Sequence, residues 1–155
     1  MIIIINACVL SVLLYAADSW SLLVGDEKRT DAFDIRYQRR ILGVRWYDFV
    51  TNESIRQQTG LLPLSLILRK RRLALFGHTV RSPASTDTHM ALRSAIFPPT
   101  SWKRPPGRPR STWASTVARD VKPLGIDLKD AWDLATDRDL WRVTLQRATL
   151  YEHAT

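Results

Sequence analysis

PLSLILRKRRLALFGHTVR, residues Pro63 to Arg81, joins a helical apolar pattern to the densest run of positive charge in the chain. Leu64, Ile67, Leu68 and Leu75 fall on one side of a helix of 3.6 residues per turn, and Leu66, Leu73 and Val80 fall almost opposite. A helix that is apolar on two sides is sandwiched between neighbours, so this stretch is the expected centre of a helical domain. Arg69, Lys70, Arg71 and Arg72 point all the way round such a helix, and no single face can solvate all of them. Two readings stand. The long stems snorkel past apolar neighbours to water, or some of the charges contact an anionic partner, with nucleic-acid phosphate first among the candidates.

Working toward the N-terminus, Thr51, Asn52 and Glu53 carry capping chemistry for a short helix ending near Gly60, with Ile55 as its inward anchor. Trp46 and Tyr47 lie in a connection after Gly43 and read as core plugs, base stacking being the alternative. Gly25 to Leu42 reads as a helix with Asp26 and Glu27 at its start and Arg39 and Arg40 at its end, as the helix dipole favours. Its expected apolar stripe is Ala32, Phe33, Tyr37, Ile41 and Leu42. Residues 1 to 17 contain no charge, but they lack the basic n-region of a signal peptide, and Asn6 interrupts a run shorter than the ~18 residues of a span. A buried core helix is the expectation, with a membrane anchor through residues 2–17 as the alternative.

Beyond Arg81, SPASTDTH reads as a loop, and Met90 to Phe97 is short enough to be helix or strand. Pro98 to Arg110, PPTSWKRPPGRPR, has five prolines and no room for a regular helix. Lys103, Arg104, Arg108 and Arg110 make it basic, and Pro106-Gly107-Arg108-Pro109-Arg110 resembles an AT-hook. A slim arginine-bearing backbone of that kind suits the narrow minor groove of A·T-rich DNA, although a stiff basic linker has the same composition. Three further helices follow: Trp113 to about Lys122, a short one capped by Asp127, and a last one from about Thr136. Trp113, Trp132 and Trp141 recur at their apolar positions and are expected to share one core.

The 155 residues carry a formal net charge of +8. From Ser54 to Arg119 there are twelve Lys and Arg against the single acid Asp87, whereas both ends are slightly acidic. That asymmetry favours a polyanionic partner over a uniformly solvated surface. The lone Cys8 excludes an internal disulfide framework and fits a reducing, intracellular compartment. His78, His89 and His153 are scattered, and Asp137 and Asp139 read as partners of a helix N-terminus, so no catalytic residue, cofactor or metal site is expected. An independent nuclease would need an acid cluster that the sequence does not provide. His78, within Phe76-Gly77-His78, reads as a structural histidine rather than a metal ligand. The expected fold is all-α: an irregular bundle of about six to seven helices interrupted by a proline-rich basic linker. Its expected divisions are an apolar helix over 1–22, a basic helical domain over 23–97, the linker over 98–111 and a small Trp-rich helical domain over 112–155.

VLLYAADSW (Val12 to Trp20), RRILGVRWYDFVTNESI (Arg39 to Ile55), LRKRRLALFGHTVR (Leu68 to Arg81), GRPRSTW (Gly107 to Trp113) and WDLATDRDLWR (Trp132 to Arg142) occur in that order. Together they resemble the C-terminal region of endonuclease-reverse transcriptases of non-LTR retrotransposons, over nearly the whole chain. The family more often has Gly where Ala16 stands and Glu near Asp18. The resemblance implies that 1–22 is the end of a reverse-transcriptase thumb. It also implies a role in holding RNA and target DNA during target-primed reverse transcription, in the nucleus, beside an upstream polymerase domain. Arg69, Lys70, Arg71, Arg72, His78 and Arg81 would carry binding, together with Lys103, Arg104, Arg108 and Arg110 of the linker. The family's Tyr/Phe-x-Asp-Asp carboxylates and endonuclease residues have no counterpart here, so the isolated chain is not expected to be an enzyme. Met1 is expected to fall inside a longer reading frame, and a degenerate, inactive remnant is the competing expectation.

Overall fold

The computed structural model describes residues 10–103, 106–107 and 111–150, and among these every regular element is helical. In chain order they are α1 (Ser11–Leu13), α2 (Val24–Leu42), α3 (Asn52–Thr59), α4 (Leu64–Val80), α5 (Asp87–Ile96), α6 (Trp113–Val121), α7 (Leu128–Thr136) and α8 (Arg138–Leu150), with 3-10 turns at Ala17–Ser19, Trp46–Asp48 and Lys122–Leu124. The fold is therefore all-α, and the ambiguous stretch from Met90 is helical through Ile96, in a helix that already begins at Asp87, within the segment expected to be loop. No helix among the described residues is long and apolar enough to cross a membrane.

The chain packs as two units. One gathers Leu22–Leu68 with the segment ending at Ala17, and the other gathers Asp18–Ser21 with the chain from Arg69 onward. The division between these units falls within α4. The described part of the proline-rich stretch lies inside the second unit.

In the first unit, α2 ends at Gly43, whose φ of 70° lets its N–H reach back to the carbonyls of Arg39 and Arg40. The Thr51 hydroxyl accepts the Ser54 N–H at 3.2 Å, and Ile55 beyond it is fully buried. The face that α2 buries is not the expected apolar stripe. Asp34 and Gln38 are buried, while Phe33 is 51% exposed and stacks on Tyr37. Hydrogen bonding explains the inversion: the Gln38 amide donates to Asp34 Oδ2 at 2.8 Å, and its oxygen accepts the Thr59 hydroxyl of α3 at 2.9 Å. Asp31, one turn earlier, accepts the Ser65 N–H at 2.9 Å and so caps α4 from a distance.

Two further expectations fail in this unit. Trp46 and Tyr47 are exposed rather than core plugs, because the Arg45 N–H donates to Asp48 Oδ2 at 2.6 Å and closes a tight turn that sends both rings outward. The helix expected over 1–17 does not run through to Ala17: α1 ends at Leu13, and Ala16 adopts a left-handed φ of 53°. Residues 1–9 of that stretch lie outside the described residues.

In the second unit the core is built from Leu73, Phe76 and Val80 of α4, Leu92 and Ile96 of α5, Val117 and Val121 of α6, Ala131 and Ala135 of α7, and Trp141 and Ala148 of α8. The three tryptophans pack against this one cluster. Trp113 and Trp141 flank Phe76, with ring centroids at 6.4 and 5.4 Å, while Trp132 meets His89 and Phe97 edge-on.

Candidate nucleic-acid interface

The Lys/Arg run sorts itself by helical angle. Taking Lys70 as zero, Arg81, Ala74, His78 and Arg71 fall within an arc of about 100°, whereas Arg69 and Arg72 point to the other side. All five residues of the arc are exposed. Arg72 is 1% exposed, and its guanidinium grips the Asp120 carboxylate of α6 through Nε to Oδ2 at 2.8 Å and Nη2 to Oδ1 at 3.0 Å. Arg69, largely buried, lies 3.7 Å from the same carboxylate and donates to the Ala148 carbonyl at 3.4 Å. Arg72 is therefore withdrawn from the set of binding residues, because a buried bidentate pair has no face left for an outside phosphate. Arg69 is committed to the same structural anchor.

The remaining stripe presents Lys70 and Arg71 at one end and His78 and Arg81 at the other. Arg81 is held by a 2.7 Å hydrogen bond to the Ala135 carbonyl near the end of α7, which fixes its guanidinium in place while leaving it exposed. His78 is not the structural histidine that its Phe76-Gly77-His78 setting implied. That role belongs to His89, which is buried against Trp132 with Nδ1 at 3.2 Å from the Thr79 carbonyl.

Gly77, at about −20° on the same scale, makes the backbone of α4 approachable at the edge of the arc, next to Arg81. The Trp141 indole lies where a Cβ of residue 77 would stand, and its Nε1–H donates to the Leu73 carbonyl at 2.9 Å. The stripe thus sits on a helix locked by Asp120, Trp141 and Ala135 from three neighbouring helices. Of the linker residues, Lys103 is exposed, and Arg104, Arg108 and Arg110 lie outside the described residues.

Sequence reasoning missed Asp120. Its signal was an acid within the buried face Thr116, Val117, Asp120, Val121 of α6, a position that requires a cation from elsewhere. Among the described residues no group of three His, Cys, Asp or Glu side chains could hold a metal ion. Set against family models, curated proteins and solved structures, the chain matches none.

Proposed function

We propose that the chain is a nucleic-acid-binding C-terminal segment of a non-LTR retrotransposon reverse transcriptase, accessory to target-primed reverse transcription and not an enzyme in isolation. The observation that carries the reading is the exposed stripe of Lys70, Arg71, His78 and Arg81 on a helix whose Arg69 and Arg72 turn inward to Asp120. Such a stripe offers phosphate contacts on a rigid element and positions a strand without reading its sequence. The resemblance to the retrotransposon family has support at one residue. Ala16 holds a left-handed backbone that favours glycine, and glycine is what the family more often has there.

The test is fluorescence anisotropy of the full chain with labelled single-stranded RNA and with duplex DNA of equal length. Binding to both, with no nucleotide incorporation in Mg²⁺ or Mn²⁺, is the expected result. Absence of binding to either at low salt, or template-dependent incorporation by contaminant-free protein, would overturn the proposal.

A further inference from the structure

The first unit holds a second cationic feature that the stripe on α4 does not use. Arg36, Arg39 and Arg40 on the last turns of α2, with Val44, Arg45 and Trp46 of the following turn, line an open cleft of about 690 Å³. The carbonyls at the end of α2 would ordinarily repel an anion, but those of Arg39 and Arg40 accept N–H bonds from Gly43, and that of Arg39 also accepts the N–H of Val44 at 3.0 Å. Arg39 is braced by Nη2 bonds to the Val50 carbonyl and to Asn52 Oδ1 at 3.0 Å. Arg45 lies over the Tyr47 ring and donates to its hydroxyl at 2.6 Å. Arg36 and Arg40 are exposed at the mouth. Beside these charges stands Trp46, 84% exposed and met edge-on by Tyr47 at a ring-centroid distance of 5.7 Å.

We infer that this cleft binds an unpaired nucleotide of a single strand, the arginines taking its flanking phosphates and the Trp46 indole stacking on its base. The volume is that of a nucleotide-sized pocket. A positive groove beside an exposed aromatic ring is the arrangement by which single strands are held without sequence preference. A duplex offers phosphates to the arginines but no free base face to Trp46, and an acidic peptide offers neither planar ring nor stacking. The inference rests on a nucleic-acid partner, as proposed above, but on residues that the α4 stripe does not include.

The experiment compares the full chain with Trp46→Ala, Trp46→Phe, the double variant Arg36→Gln/Arg40→Gln and, as a reference, Lys70→Gln/Arg71→Gln. Each is titrated against labelled oligo-U, a duplex of the same length and decaglutamate. All the altered side chains are exposed, and circular dichroism checks the fold. Trp46→Ala is expected to weaken oligo-U binding roughly tenfold, within the stacking range, while leaving the salt dependence and duplex affinity unchanged, and Trp46→Phe should restore most of the affinity. Arg36→Gln/Arg40→Gln should lower the salt slope on oligo-U by roughly 1.4, about 0.7 for each phosphate that is no longer neutralised.

If the cleft variants bind oligo-U like wild type while the Lys70/Arg71 variant is weakened, the cleft inference fails and the α4 reading stands. If Trp46→Ala is silent and the arginine variant binds strand, duplex and decaglutamate more weakly alike, the cleft is a charge patch without a base site and the inference also fails. Absence of all nucleic-acid binding in wild type would overturn the α4 reading and this one with it.

Discussion

A carboxylate buried among apolar side chains has to find a cation, and Asp120 finds two. Removing it leaves Arg72 buried with its principal partner gone, so Asp120→Ala is expected to destabilise the chain by about 3–5 kcal/mol. The double replacement Arg72→Met/Asp120→Leu should recover most of that stability, which chemical denaturation of the single and double variants measures. Gly77 is the second decisive residue. Any Cβ there collides with the Trp141 indole, and Gly77→Ala is expected to cost about 1–3 kcal/mol through overpacking, despite alanine's better helix propensity. Asp34 gives a pH signature. Burial raises its carboxyl above the ordinary 3.8, with the Gln38 hydrogen bond and the Arg56 charge pulling the other way. A raised value means that the folded chain holds the proton more tightly than the unfolded one. The contribution is therefore fully present below pH 3.8 and is lost as pH climbs through the folded value. Asp34→Asn keeps an oxygen for Gln38 and carries no charge. Its melting temperature should exceed wild type at pH 7, and the gap should close as the pH falls toward about 3, below the unfolded value; an unchanged gap there would contradict the assignment.

At the scale of elements, helix positions were legible because local chemistry sets them: Thr51 before α3 and Gly43 after α2 behave as their residue types demand, although Asp127, expected to cap α7, stands at its N-cap position without a side-chain cap bond. The orientation of α2 was not. Its apolar residues suggested one face, but the pairing of Asp34 and Gln38 with Thr59, 21 residues beyond Gln38, turned the polar face inward. Periodicity cannot register a partner that distant. The ring of charge on α4 was ambiguous for the same reason, since Asp120 lies 48 residues beyond Arg72. Around α1 the strained Ala16 makes a local prediction. Ala16→Gly should stabilise the chain by roughly 0.5–1 kcal/mol, the relief of a left-handed alanine less the extra chain entropy of glycine. A thermal melt that falls instead would show that the turn is held by interactions glycine cannot make.

For the whole molecule, the charge asymmetry of the sequence overstated the surface. Twelve cations against one acid between Ser54 and Arg119 suggested an uninterrupted basic band. Asp120 stands one residue past that window and engages Arg69 and Arg72 internally. What remains is sharper than the composition implied: a defined stripe on α4 in one unit and an arginine-lined cleft in the other, the latter hidden because Arg39 and Arg40 already had an explanation as helix-dipole partners. The central claim is that the stripe binds phosphate, and the most direct measurement is the salt dependence of RNA affinity for wild type and Lys70→Gln/Arg71→Gln between about 50 and 200 mM salt, the range over which counterion release is large. The double variant is expected to bind more weakly, with a log–log slope shallower by about 1.4, close to 0.7 for each single-strand phosphate given up. A folded double variant with wild-type affinity and an unchanged slope would contradict the account.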